Sequence, residues 1–335
     1  MASIQDVANS CGLSTATISR VLAGKEHVRE EVRLRVLEAV KLLGYRPNRV
    51  ARSLRSNRST TIGLVVADIQ NPYFTRICRA VEDAALRCGF AIFLCNTDED
   101  PEKEALYLRH LIDENVAGII YAPTGKAVRD FGKMGDIGMP LVIIDRPIGR
   151  GLADSVVIDN VAAAFDMTEH LISHKRTRIA GVFGVKSPTG RERRKGFQLA
   201  RQKYGLAEDK ELILEVPPRD EEGYRAVRKL LAMAPPPDAI LTSNGLLAVG
   251  AFRALMEAGR IGKKCTDDIS FATFDDDAWS SLVSPSVTVV AQPTYEIGSS
   301  AAELLLKRIE DDTRSIRQIV LKHRLVIRQS CGCQS

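Results

Sequence analysis

From Thr61 onward, short apolar runs alternate with amphipathic stretches, and few folds accommodate such a pattern. The strand-sized runs are Ile62–Val66, Ala91–Leu94, Gly118–Tyr121, Pro140–Ile144 and Val156–Ile158, with helical spacing over Pro72–Cys88 and Pro101–Glu114. The alternation then begins again. Strands are expected at Ile179–Phe183, Glu211–Val216, Ala239–Thr242 and Ile269–Phe274, and helices at Val161–Ser173, Arg191–Tyr204, Glu222–Ala232 and Leu246–Ala258. A strand followed by a crossover helix pairs parallel to the next strand. Two such series therefore predict two doubly wound α/β subdomains, each an open parallel sheet with helices on both faces. Such sheets bind ligands outside the carboxyl ends of their strands, and polar and aromatic residues collect there in this chain. No apolar run approaches the ~20 residues of a membrane span.

The segment ahead of this core has a different character. Residues 1–60 hold eleven Lys and Arg against five Asp and Glu, so the excess positive charge of a chain with net charge +5 lies in this segment. No acidic residue occurs between Ala39 and Ala67. A compact basic segment on a near-neutral body is the footprint of polyanion binding, although a solvated surface has the same composition. The chain starts Met1-Ala-Ser-Ile-Gln-Asp6 and runs directly into helical spacing, without the pattern of a secretory leader. Seven scattered cysteines, an odd number, read as thiols rather than a disulfide framework, and the expected compartment is cytoplasmic.

Helical spacing resolves the choice between a polyanion site and a plain surface. Ile4, Val7, Ala8 and Cys11 fall on one helix face, and Gly12 breaks the pattern. Ser14 is placed to cap a second helix, in which Ala16, Ile18, Val21 and Leu22 alternate with Thr15, Thr17, Ser19 and Arg20. Two short helices joined by a glycine-containing turn make a helix-turn-helix, whose second helix can enter the major groove. A third helix, about Arg29–Leu43, offers Val32, Val36, Leu37 and Val40 to complete an all-α headpiece over residues 1–45. The next segment, 46–60, repeats arginine at 46, 49, 52, 55 and 58. It is too short and too self-repelling to hold a helix alone in water.

Three motifs, Ile4-Gln-Asp-Val-Ala8, Leu13-Ser-Thr-Ala-Thr-Ile-Ser-Arg-Val-Leu22 and Gly44-Tyr-Arg-Pro-Asn-Arg-Val-Ala-Arg-Ser-Leu54, occur in order and resemble the DNA-binding headpiece of the LacI/GalR family of bacterial transcriptional regulators. The resemblance extends over the whole core, which is similar to the fold that also serves periplasmic sugar-binding proteins. It implies that Thr15, Ala16 and Arg20 read base edges, and that Thr17 caps its helix or touches phosphate. Arg20 has the geometry to grip guanine bidentately, worth ~1–3 kcal/mol of discrimination. It further implies that 46–60 is a hinge helix that folds on the minor groove, with Asn48, Arg52 and Arg55 on DNA and Leu54 wedged into a base step. The expected protein is a homodimeric repressor of a carbohydrate operon on a pseudo-palindromic operator. Its core, 61–330, is divided into an N-subdomain (61–158 plus 291–318) and a C-subdomain (159–290 plus 319–330).

The same resemblance places effector-binding residues at strand ends. Asp68-Ile-Gln-Asn-Pro-Tyr-Phe74 supplies Asp68 and an aromatic wall of Tyr73 and Phe74, and Ser187–Phe197 supplies Thr189 and Arg193. Asp275 falls on the ligand-binding aspartate, with Asp145, Arg146 and Asn244 at further strand ends. Trp279, the single tryptophan, is either a sugar platform or an outer cover. A carboxylate, a guanidinium and an aromatic face are tools for a polyol. Many relatives carry Asn-Asp where this chain has Asn244-Gly245. With Arg146, Arg150 and Arg193 near, that departure leans toward a sugar acid or sugar phosphate, unless Arg146 or Arg150 lies on the surface.

Other constellations point elsewhere. Glu169-His170-x-x-x-His174 puts two histidines on one helix face but in the wrong order for a zinc protease, and no third ligand is evident. Gly149-Arg-Gly151 precedes a strand and is no dinucleotide loop, and Cys331-Gly-Cys333 reads as an exposed, inert tail. No cofactor, metal or catalytic set is expected. A transport binding protein and a sugar-active enzyme on the same fold are the competing classes. Dimerisation is expected in the core, with Cys78, Ala85 and Leu108 as candidate contacts.

Overall fold

The computed structural model describes residues 2–22, 28–45, 59–130, 138–146, 148, 151–207, 209–262 and 268–332. They form two units, residues 1–59 and 60–335. In the first, α1 (Ile4–Cys11), α2 (Thr15–Leu22) and α3 (Glu30–Leu42) enclose a small core of Val7, Ala8, Ile18, Val21, Val36 and Ala39. Ser3 and Asp6 make a reciprocal capping box at the start of α1, and Gly12 takes a left-handed conformation at its end. Val32 and Val40 pack on this core, but Leu37 does not. It is 47% exposed, and Ala39 takes the inward position.

The second unit contains two six-stranded sheets. The first is built from β1 (Thr61–Val66), β2 (Ala91–Asn96), β3 (Ile119–Tyr121), β4 (Leu141–Ile144), β5 (Asp154–Ile158) and β11 (Gln318–Leu321), in the order β11-β5-β4-β3-β1-β2 and parallel throughout. The second contains β6 (Ile179–Gly184), β7 (Ile213–Val216), β8 (Ala239–Thr242), β9 (Ser270–Phe274), β10 (Thr288–Ala291) and β12 (Arg324–Val326), in the order β12-β10-β9-β8-β6-β7, with only β12 antiparallel. The central strands are apolar on both faces because both are covered. In β1, Ile62, Leu64 and Val66 share a cluster with Ile77 and Val81, while Val65 faces Leu108 and Leu111 in another.

Helices α4 (Pro72–Arg87), α5 (Pro101–Asp113), α6 (Gly125–Asp130) and α12 (Thr294–Glu310) belong to the first lobe. Helices α7 (Asn160–Ser173), α8 (Pro188–Lys203), α9 (Asp220–Leu231), α10 (Gly245–Glu257) and α11 (Ala278–Leu282) belong to the second. The expected subdomain limits shift at the returns. Ala291 ends β10 in the second sheet, and β11 keeps the chain in the first lobe through Leu321, in register with Ser155–Ile158 of β5. The tail is not exposed as expected. Cys331 is fully buried, and its carbonyl accepts from Ser270 Oγ at 2.9 Å.

Candidate functional site

Helix α2 is anchored by Ile18 and Val21, both buried, which leaves Ala16 and Arg20 together on the exposed side one turn apart. Ser14 caps the helix, its Oγ accepting from the Thr17 amide at 3.2 Å, and the Thr17 hydroxyl lies 2.9 Å from the same oxygen. Thr17 thus serves the cap, while Thr15 is half-buried beside Ala16. Asn48, Arg52, Leu54 and Arg55 lie outside the described residues.

In the core, a cleft of about 600 Å³ opens where the carboxyl ends of both sheets face each other. Asp68, Tyr73, Phe74, Asp145, Arg146, Thr189, Arg193, Asn244 and Asp275 all line it. Two of these acids, Asp145 (φ 67°) and Asp275 (φ 74°), end β4 and β9 in left-handed backbone. A non-glycine residue pays a steric penalty there, although Asp tolerates the region better than most. The turn lifts each carboxylate out of its strand line and over the sheet edge. Asp275 is then held by the Gly245 amide (3.1 Å to Oδ2) and by Gln292 Nε2 (2.6 Å to Oδ1).

Arg193 reaches up from α8 with its guanidinium 4.0 Å from the centre of the Phe274 ring. Its Nε donates to Asn160 Oδ1 (2.8 Å) and Nη1 to the Ser243 carbonyl (2.6 Å), which leaves Nη2 for a ligand oxygen. Asn244 caps α10 through the Leu247 amide (2.8 Å), so its amide nitrogen remains available to the cleft. On the opposite wall, Tyr73 and Phe74 meet edge to face, their centroids 5.0 Å apart. Burial, with Asp145 beside it, holds the Tyr73 phenol well above its ordinary pKa, so it stays neutral. Burial also raises Asp68, and Asp98 and Glu99 add to the shift.

Arg146 does not bring a free positive charge. It is buried, bonded from Nε to Asp145 (2.9 Å), from Nη1 to Glu99 (2.7 Å) and to the Pro123 carbonyl (2.8 Å), and paired again with Glu99 through Nη2. Burial opposes its charge, but Glu99 and Asp145 outweigh burial and push its pKa up. Among the described residues around the cleft, Asp68, Asp98, Glu99, Asp145, Asp220 and Asp275 stand with Arg146, Arg193 and Arg219. Arg146 therefore lends no free charge to an anionic effector, Arg193 still lines the cleft, and Arg150 lies outside the described residues.

Of the two places expected for Trp279, sugar platform or outer cover, the first is not found. The residue does not line the cleft. Its ring packs 5.7 Å from Phe252 on the second-lobe core, because the short helix α11 turns away from the strand end. Glu99, Gln292, Asn160 and Ser243 were not anticipated. Gln292 directly follows β10 and Glu99 lies three residues past β2, so both were legible as polar residues near strand ends, whereas Asn160 and Ser243 act by orienting Arg193. His170 and His174 stack at 4.5 Å, and no cluster able to hold a metal occurs among the described residues. Gly149 of the Gly149-Arg-Gly151 motif is likewise outside them. Ala85 and Leu108 are buried in their own lobe and are no dimer contacts.

Comparison with known proteins agrees with this architecture. Residues 3–48 match the family described as bacterial regulatory proteins, lacI family, and residues 59–329 match periplasmic binding proteins and sugar binding domain of LacI family. The ribose operon repressor of Halalkalibacterium halodurans is 35% identical over 98% of this chain and 97% of its own length. Catabolite control protein A of Priestia megaterium is 33% identical over 98% of both. Among solved structures, a complex of the transcriptional regulator CelR with cellobiose aligns with a TM-score of 0.72 at 28% identity, covering 98% of this chain and all of that one. The Lac repressor bound to ONPG shares the fold, with a TM-score of 0.85 at 24% identity over 98% of this chain and 99% of its own. A helical DNA reader joined to a two-lobed binding core defines a ligand-responsive regulator. The chain belongs to the LacI family, and it is a DNA-binding transcriptional regulator.

Proposed function

We propose that this regulator represses a carbohydrate operon, binds its operator as a homodimer, and is released by an uncharged sugar held in the cleft. The observation that carries the reading is the cleft itself. Asp68, Tyr73 and Phe74 of the first lobe face Arg193 and Asp275 of the second, so a ligand touching both sets draws the lobes together. Carboxylates accept pairs of hydroxyls, Arg193 Nη2 and Asn244 donate, and the aromatic wall stacks on C–H faces, while the surplus of acids disfavours a carboxylate or phosphate. A relative named for a ribose operon and a neighbour solved with cellobiose support the sugar class.

On DNA, Ala16, Arg20 and Thr15 read base edges from α2, and Asn48, Arg52, Leu54 and Arg55 engage the minor groove. One headpiece is too small to be both tight and selective, so two-fold symmetry serves recognition. The second copy fits the edge strand β2, whose Phe93 (47% exposed) and Leu94 (45%) lie uncovered. Among the described residues no helix is long and apolar enough to cross a membrane. The test is a thermal-shift screen of neutral pentoses, hexoses and disaccharides against their acids and phosphates, because a ligand binding only the folded state raises its melting temperature. A shift by a neutral sugar that also lowers operator affinity supports the reading. Shifts confined to sugar acids or phosphates would overturn it.

A further inference from the structure

The lobes also meet at the cleft rim through groups that effector binding does not use. Arg76, in the second turn of α4, donates from Nη1 to the Asp276 carbonyl at 2.9 Å and holds Nη2 3.3 Å from Asp277 Oδ1, both in the second lobe. The Asp277 side chain is 6% exposed, and Oδ1 accepts no hydrogen bond, so the guanidinium is what answers its charge. The other oxygen reaches the start of α10. A Cβ built on Gly245 would lie 2.4 Å from Oδ2, closer than any carbon can stand. Gly245 is not among the residues of positive φ, so its missing side chain serves this approach rather than a turn. The space that an acidic side chain at 245 would enter is filled by a carboxylate arriving from the β9–α11 loop.

We propose that Arg76 and Asp277 form a cross-cleft latch that sets the open–closed balance of the lobes, with Gly245 leaving the room that the carboxylate needs. On another rim the lobes touch by backbone, where a Cβ on Gly125 would lie 2.6 Å from the Lys186 carbonyl oxygen. That contact fixes distance without charge, and the Arg76 pair supplies the attraction. Asp277 faces Asp275 and Asp276 from its own segment and Arg76 from α4, while the first turn of α10 (Gly245-Leu-Leu-Ala) presents no titratable side chain. Burial and the neighbouring Asp275 push Asp277 up to about 6, so mild acid discharges the latch. A ligand that needs closed lobes binds in proportion to the fraction already closed, so the latch tunes effector affinity without touching effector. That consequence rests on the proposed cleft function. The latch itself does not, and its test requires no effector.

The test is amide hydrogen exchange of the full chain at pH 7.5 for the wild type, Arg76→Met, Asp277→Asn, Gly245→Ala and the Arg76→Met/Asp277→Asn double variant. Each single change should speed exchange several-fold in both rims, residues 69–78 and 275–282, and the double variant should add nothing. Gly245→Ala removes no charge and acts only by displacing the carboxylate, so it keeps the test valid where Asp277→Asn folds poorly. Unchanged exchange of 275–282 in Arg76→Met overturns the latch, as do additive effects in the double variant. A Gly245→Ala protein indistinguishable from wild type overturns the role of Gly245.

Discussion

Asp277→Asn should alter the pH dependence of second-lobe stability more than stability at any single pH. Burial is the main cause of the raised pKa of Asp277, the charge of Asp275 adds to it, and Arg76 offsets part of it, giving about 6 against 3.8 for a free side chain. The folded protein therefore holds this proton more tightly than the unfolded chain does. Below pH 4 both states are protonated, above pH 6 neither is, and the stabilisation from Asp277 is lost as pH rises between them. At about 1.4 kcal/mol per pKa unit the swing is at most ~3 kcal/mol. Asparagine does not titrate, so the stability of Asp277→Asn minus that of wild type should rise with pH by up to that amount. Urea unfolding at constant ionic strength, followed by Trp279 fluorescence, reads it directly. Trp279 is the chain's single tryptophan and packs on the second-lobe core beside Phe252. With m near 1–3 kcal/mol/M, the midpoint difference should change by up to about 1–3 M. A difference that stays flat from pH 4 to 8, or falls, would refute the assignment.

Arg20→Ala should relax preference at one base pair per half-site in a binding selection and cost ~1–3 kcal/mol on the best operator. Ile18→Ala opens a cavity in a headpiece with a very small core, and a loss of ~2–5 kcal/mol should unfold it by circular dichroism while core unfolding stays unchanged. The sugar that raises the wild-type melting temperature should leave that of Asp275→Ala unmoved, with operator affinity nearly intact. Glu104 is buried and accepts from both the amide (2.6 Å) and the hydroxyl (2.7 Å) of Thr124, so Glu104→Ala should destabilise the first lobe by ~2–4 kcal/mol in a denaturant titration.

The switch follows from connectivity. Three passages of the chain join the lobes, after β5, β10 and β11, a connectivity suited to rotation about a narrow hinge in the proposed switch. Segment 46–60 leads directly into β1 of the first lobe. In the proposed repressor, movement of that lobe is passed to the 46–60 segments of the two copies. A shift in operator occupancy from 99:1 to 1:99 needs ~5.5 kcal/mol of differential affinity, shared by two ligands in a dimer.

The periodic part of this protein follows from local signals along the chain. Apolar runs of strand length, helices starting at Pro72 and Pro101, and Ser14 before α2 are local signals, and the structure shows the elements they predict, while the helix expected from Arg191 starts one turn earlier at Pro188. The strand-end residues Asp68, Arg193 and Asp275 were legible for the same reason, because a parallel sheet sends its polar residues to one edge. What those residues face depends on packing between distant parts of the chain. Arg146 reads as a free cation until Glu99, 47 positions away, is seen to neutralise it. Trp279 reads as either a sugar platform or an outer cover until its ring is seen against Phe252, and Leu37 reads as core until Ala39 takes its place. The Arg76–Asp277 contact joins residues about 200 positions apart, and Gly245 has no local reason to be glycine. Periodicity is set by backbone geometry over a few residues, whereas charge compensation and close approach are set by whatever the fold brings within 3 to 4 Å.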